Sequence, residues 1–133
     1  MRHFAFLFTL IAASPAVFAE TPNDFLMSFS REAKQENPAY AGPSAERGQR
    51  FFTTAHGQEW SCASCHTRNP AATGKHAVTS KQIDPLAPSA NPVRFTRTAK
   101  VEKWFKRNCN DVLDRACTAQ EKGDVLAYLL TIK

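Results

Sequence analysis

Beyond Met1 the sequence holds a single methionine, Met27, and none in the long stretch that follows it. Any site in the later part of the chain that would ordinarily take a soft thioether donor must use another residue type. Long apolar runs are also missing. The one sizeable run, Phe4 to Ala13 with Thr9 inside it, falls short of the roughly 20 residues that a membrane-spanning helix needs. No internal repeat is present, and no segment alternates apolar with polar residues as half-buried strands do. Basic residues interleave with acidic ones throughout, and no stripe of aromatic and basic side chains points to nucleic acid.

The N-terminal run reads as a leader. Arg2 and His3 precede it, and Val17-Phe18-Ala19 ends in a small residue suited to cleavage before Glu20, the layout of a secretory signal peptide. The expectation is therefore a leader over residues 1–19, export to the periplasm and a soluble mature domain over 20–133. Seventeen Lys and Arg less Arg2, against 12 Asp and Glu, leave that domain at +4, a mild excess. A chain of this size makes one domain with an adequate but small core, expected to be monomeric, and a covalently held cofactor would enlarge that core.

All four cysteines, Cys62, Cys65, Cys109 and Cys117, fall in the mature part. In an oxidising compartment they read either as two disulfides or as one disulfide and a pair with another task. The residue after Cys65 decides between these. Cys62-Ala63-Ser64-Cys65-His66 is the C-x-x-C-H haem attachment sequence: each thiol can add to one vinyl group, and the adjacent imidazole can then bind the iron. A thioredoxin-like dithiol would want a βαβ setting, and a zinc site would want a second close pair of Cys or His. Neither is found.

The remaining chain reads as helices around that motif. Asp24 to Glu36 carries Phe25, Leu26, Phe29 and Ala33 at helical spacing and stops before Asn37-Pro38. Ser44 can cap a second helix to about Thr54, in which Gly48 suggests the close approach of another helix. Thr67 to Asn91 has no sustained period, and a loop of that length in a small domain suits cofactor wrapping. Thr98 is the expected cap of a helix carrying Val101, Trp104 and Phe105 and ending near Asn108. Thr118 to Glu121 forms a capping box that opens a last helix, with Val125, Leu126, Leu129 and Leu130 as its buried stripe. This is an all-α plan, that of a class I cytochrome c wrapped around one haem.

The order of segments resembles more closely the sphaeroides haem protein family of oxygen-binding cytochromes c. Glu46-Arg47-Gly48 with Phe52, the haem motif, Gly74-Lys75, Pro85 to Ala90, Arg94-Phe95, Val101 to Trp104, Arg107 to Asn110, Cys117-Thr118 and Glu121-Lys122 carry the likeness over nearly all of the mature chain. The resemblance implies that His66 is the proximal ligand of one covalent haem c. It further implies that Asn108 binds the oxidised iron and leaves on reduction, and that Cys109 pairs with Cys117 beside it. Electron donors in that family are a dihaem cytochrome c and a membrane cytochrome b. His76 departs from the pattern as a second histidine near the motif.

Read from the residues alone, the sixth iron position is open among His76, a lysine, Asn108, Asn110 and solvent. Met27 is expected in the core and His56, in an Ala-His-Gly context, on the surface. With both thiols of the motif taken by haem, Cys109 and Cys117 are left to pair in an oxidising compartment. Trp104 is a candidate wall of the haem pocket. Two functions follow. One is a haem protein that binds oxygen or nitric oxide, with reduction of the bound gas as a candidate enzymatic activity; the alternative is a simple six-coordinate electron-transfer cytochrome.

Overall fold

The computed structural model describes residues 19–133 apart from Gln58, so all but the last residue of the expected leader lies outside the described residues. Five helices and one short hairpin follow in order: α1 Pro22–Glu36, α2 Ala45–Thr53, α3 Cys62–His66, β1 Gly74–Lys75, β2 Gln82–Ile83, α4 Thr98–Leu113 and α5 Ala119–Thr131. None of these helices is long and apolar enough to cross a membrane.

Helix α1 begins two residues before the expected Asp24. Thr21 and Asp24 cap each other reciprocally around Pro22, which needs no amide partner in the first turn. Ser44 caps α2 by accepting the Arg47 amide, and Thr118 caps α5 with Glu121, both as expected. Helix α4 differs from expectation at both ends. Its N-cap is Arg97, which offers no side-chain acceptor, and Glu20 serves instead, accepting from the Thr98 amide at 2.8 Å. At the other end the helix runs on through Asn108 to Leu113 and stops where Asp114 turns left-handed at φ 57°.

Helix α5 is the centre of the core. Gly48 of α2 lies so close to it that a Cβ there would come 1.8 Å from the Asp124 carbonyl oxygen. The same junction buries the Asp124 carboxylate, 4 % exposed, which accepts from the Ser44 amide at 2.7 Å and from Arg47 Nε and Nη2 at 2.8 Å each. Three donors on one carboxylate compensate its removal from water. Phe29 of α1 packs near Gly123, and Phe25, Phe29, Val101 and Leu126 form one cluster while Phe52, Val125, Tyr128 and Leu129 form the next.

Helix α4 keeps its backbone at a distance from α1 and α5 and reaches them through large side chains. Phe105 meets Phe29 edge-on with ring centroids 5.6 Å apart. The space under α4 becomes the cavity described below. Segment 67–91, expected to be irregular, contains the antiparallel hairpin β1–β2, with Gly74 opposite Ile83. It is also pinned inward: the amides of Leu86 and Ala87 both donate to the Pro70 carbonyl, and Ala87 is fully buried.

Two expectations are corrected. Met27 is 59 % exposed rather than in the core, because α1 turns Phe25 and Phe29 inward and leaves position 27 on the opposite face. His56 is half-buried rather than on the open surface, its Nε2 2.7 Å from the Phe51 carbonyl and its ring against that of Phe51.

Candidate cofactor site

A cavity of about 500 Å3 opens between α3 and α4, floored by Phe52 and Leu129. That volume is in the range of sites that enclose a sizeable organic ligand. From α3 come Cys62, Cys65 and His66. Three residues of spacing on a single helical turn set the two thiols on neighbouring positions of one face, and both are free. Ser64 Oγ accepts the Ser61 amide at 2.9 Å and so fixes the first turn of this short helix.

Burial pushes the Cys62 thiol up to about 11, with a smaller contribution from neighbouring Cys65, so it is protonated at neutral pH. Burial also pushes His66 down to about 4, and the charge of Arg94 adds to the effect. The imidazole is therefore neutral, the form that binds metals. Among the described residues neither of its ring nitrogens has a hydrogen-bond partner, and its ring lies 6.4 Å from that of Phe52, centroid to centroid. No three His, Cys, Asp or Glu side chains among the described residues gather as a zinc site would require.

The facing wall is α4. Val101, Trp104, Phe105, Asn108 and Val112 repeat at three- and four-residue steps and all line the cavity. Asn108 is thus a polar residue on an otherwise apolar stripe, in the interior of the helix and not at its end. No described side chain hydrogen-bonds its amide. Trp104 is 44 % exposed at the rim, flanked by Lys103 and Arg107 at 5.9 and 5.6 Å from its ring. Immediately after Asn108, Cys109 is joined to Cys117 in a disulfide with Cα atoms 5.6 Å apart.

The other candidate ligands fall out differently. Asn110, Met27 and His56 do not line the cavity, whereas His76 and Lys100 do. His76 sits in the β1–β2 turn, where its Nδ1 accepts the amides of Val78 and Thr79 at 3.2 and 3.3 Å. The Ala77 amide lies 3.3 Å from Cys65 Sγ, which puts that turn beside α3. Arg94, to which the sequence alone attaches no role, also lines the cavity. Its place, with Phe95, among the segments that carry the family resemblance was the only signal in the sequence.

An apolar cleft with two free thiols a turn apart, an unpartnered neutral imidazole next to them and a cation in the wall fits a haem. Cys62 and Cys65 would hold it and His66 would meet its iron.

The chain is similar to known cytochromes. Residues 38–129 match the family model described as a domain of unknown function, DUF1924. Cytochrome c'' of Methylophilus methylotrophus is 43 % identical over 132 residues, covering 96 % of this chain and 90 % of that one. The cytochrome c-type protein SHP of Cereibacter sphaeroides is 41 % identical over 127 residues, covering 92 % and 94 %. The crystal structure of oxidised cytochrome c'' superposes with a TM-score of 0.75 over 84 % of this chain and 94 % of that one. Oxidised SHP, described as an oxygen-binding cytochrome c, gives 0.74 over 85 % and 98 %.

Proposed function

Because the chain belongs to the DUF1924 family, with the haem proteins cytochrome c'' and SHP among its relatives, we propose that it is a periplasmic monohaem cytochrome c that binds oxygen or nitric oxide. The haem, when bound, supplies an iron that changes charge on taking up an electron and can hold a diatomic gas. Cys62 and Cys65 attach it by thioether bonds, and His66 is its permanent ligand. Trp104 closes the rim.

Asn108 carries the reading. Its amide is the one neutral oxygen donor on the α4 stripe, it has no partner among the described residues, and no methionine exists downstream to take its place. A neutral amide oxygen is a hard donor, so Asn108 gains from the higher charge of ferric iron and loses its hold when an electron arrives. The solution structure of cytochrome c'' is described in terms of haem-ligand detachment, and SHP as oxygen-binding, which supports the same behaviour here. The electron donor is another cytochrome, a dihaem cytochrome c or a membrane cytochrome b, and reduction of the bound gas is the candidate enzymatic activity.

The second reading is a six-coordinate electron carrier with His76 as the strong permanent donor, favoured by the presence of His76 in the cavity wall. An absorption spectrum of the reduced protein separates the two. A high-spin, five-coordinate form that changes on adding nitric oxide is expected; a sharp low-spin form indifferent to the gas would contradict the gas-binding reading.

A further inference from the structure

Arg94 neither attaches nor ligates the cofactor, yet its guanidinium is built into the cavity wall. Its Nε donates to the Pro85 carbonyl at 2.9 Å and its Nη2 to the Asp84 carbonyl at 2.7 Å, while Asn91 Nδ2 donates to the same Pro85 oxygen at 3.2 Å. Both acceptors belong to the segment that Pro70 pins inward. The following residue, Phe95, has φ 54°, a region that a bulky side chain occupies only where its surroundings dictate it. Its ring is set against Phe105 at 6.4 Å. The guanidinium is therefore aimed from both sides: by the carbonyls it binds and by a strained backbone held in a packed aromatic pair.

What it is aimed at is missing from the protein itself. Two of its five N–H donors are used; Nη1 has no partner, and no carboxylate of the described residues lies within 4.0 Å of it. Burial lowers its pKa from the ordinary guanidinium value, and Asp84 offsets this only from a distance. A half-buried cation without a paired anion is costly unless an anion joins it.

Resting on the haem reading above, we infer that Arg94 is the anchor for a carboxylate on the edge of the haem. The free Nη1 hydrogens, with the remaining one on Nη2, form a planar pair suited to a carboxylate, and a haem carries two such groups as its only anionic substituents. Arg94 is in that case a positioning residue with two effects. It fixes the rotation of the haem within the cleft, and its charge disfavours the ferric state and so raises the potential.

The test uses the haem-loaded protein with Arg94→Gln and Arg94→Lys, both first checked by circular dichroism for an unchanged helical fold. Arg94→Gln should keep its haem, lower the midpoint potential and shift the proton resonances of one haem propionate. Arg94→Lys should recover most of the potential, because charge is restored, but not the resonance pattern, because the planar fork is lost. A potential that falls with no change in the propionate resonances would mean that the charge acts across space without contact, which overturns the anchor. Unchanged potential and resonances in Arg94→Gln overturn it as well. Should the unsubstituted chain release its haem into acidified acetone, the cofactor reading itself fails, a result distinguishable from either of these.

Discussion

The wall of the cavity that carries His66 and the wall that carries Asn108 are held by different kinds of contact. Behind His66, α2 and α5 pack almost backbone to backbone at Gly48, with a buried carboxylate clamped across the same junction and α3 resting on α2. Behind Asn108, α4 stands off on Phe105 and Val101 and is secured at a few points, by Glu20 at its start, by Lys122 on Glu102 and by the Cys109–Cys117 bridge next to Asn108. Close packing resists small displacements, because interiors have little free volume to absorb them. A helix held off on a few large side chains can let one of its cavity-facing side chains shift without unpacking the core. The arrangement suits a permanent ligand on the first wall and a detachable one on the second.

Breaking the first wall should have the largest effect. Gly48→Ala puts a Cβ against the Asp124 carbonyl, and the resulting overpacking should cost about 3 kcal/mol of global stability, read by denaturant unfolding. A loss below about 1 kcal/mol would show that α2 and α5 can separate freely, and the contrast between the walls would disappear. On the second wall, replacing Cys109 and Cys117 together by serine should cost about 2.5 kcal/mol in the chain-entropy model for a loop of this length. Amide exchange should quicken along α4 and leave α2 and α5 protected. Uniform quickening would contradict the separation.

Smaller still is the cap. Glu20→Ala removes the acceptor for the Thr98 amide and hydroxyl and should cost about 1 kcal/mol, with exchange rising only in the first turn of α4. The smallest effect concerns the thiol buried in the first wall. In the haem-free chain only the thiolate alkylates, and burial raises the Cys62 pKa to about 11, so the neutral thiol predominates at neutral pH and the thiolate fraction grows as pH rises towards that value. Iodoacetamide labelling of Cys62 should therefore stay slow through neutral pH and accelerate as pH approaches that value; rapid labelling at pH 7 would mean the wall is open.

Much of this contrast was legible in the sequence and part of it was not. The C-x-x-C-H motif, the α5 capping box and the close approach at Gly48 could all be read, because each depends on residues near in sequence or on a glycine with one evident use. The end of α4 could not: Asn108-Cys109-Asn110 looks like a stop, yet the helix continues because Asp114, four residues beyond Asn110, supplies the left-handed turn. The cap from Glu20 was hidden for the opposite reason, since 78 residues separate it from Thr98. Arg94 was visible only as a residue in a shared segment; its meaning comes from two backbone carbonyls and a strained neighbour that only the folded chain brings together. Met27 followed helical spacing with its apolar neighbours but falls on the outer face, a matter of rotation that spacing over one turn does not fix.

The most direct measurement is the pair of absorption spectra, oxidised and reduced, of Asn108→Ala and His76→Ala in the haem-loaded protein. Asn108→Ala should keep its haem, turn the oxidised spectrum towards water-ligated or high-spin iron and leave the reduced spectrum nearly unchanged, because the amide has already let go; His76→Ala should alter neither. An oxidised spectrum that changes in His76→Ala and not in Asn108→Ala would place a histidine opposite His66 and contradict the detachable asparagine on which the gas-binding function depends.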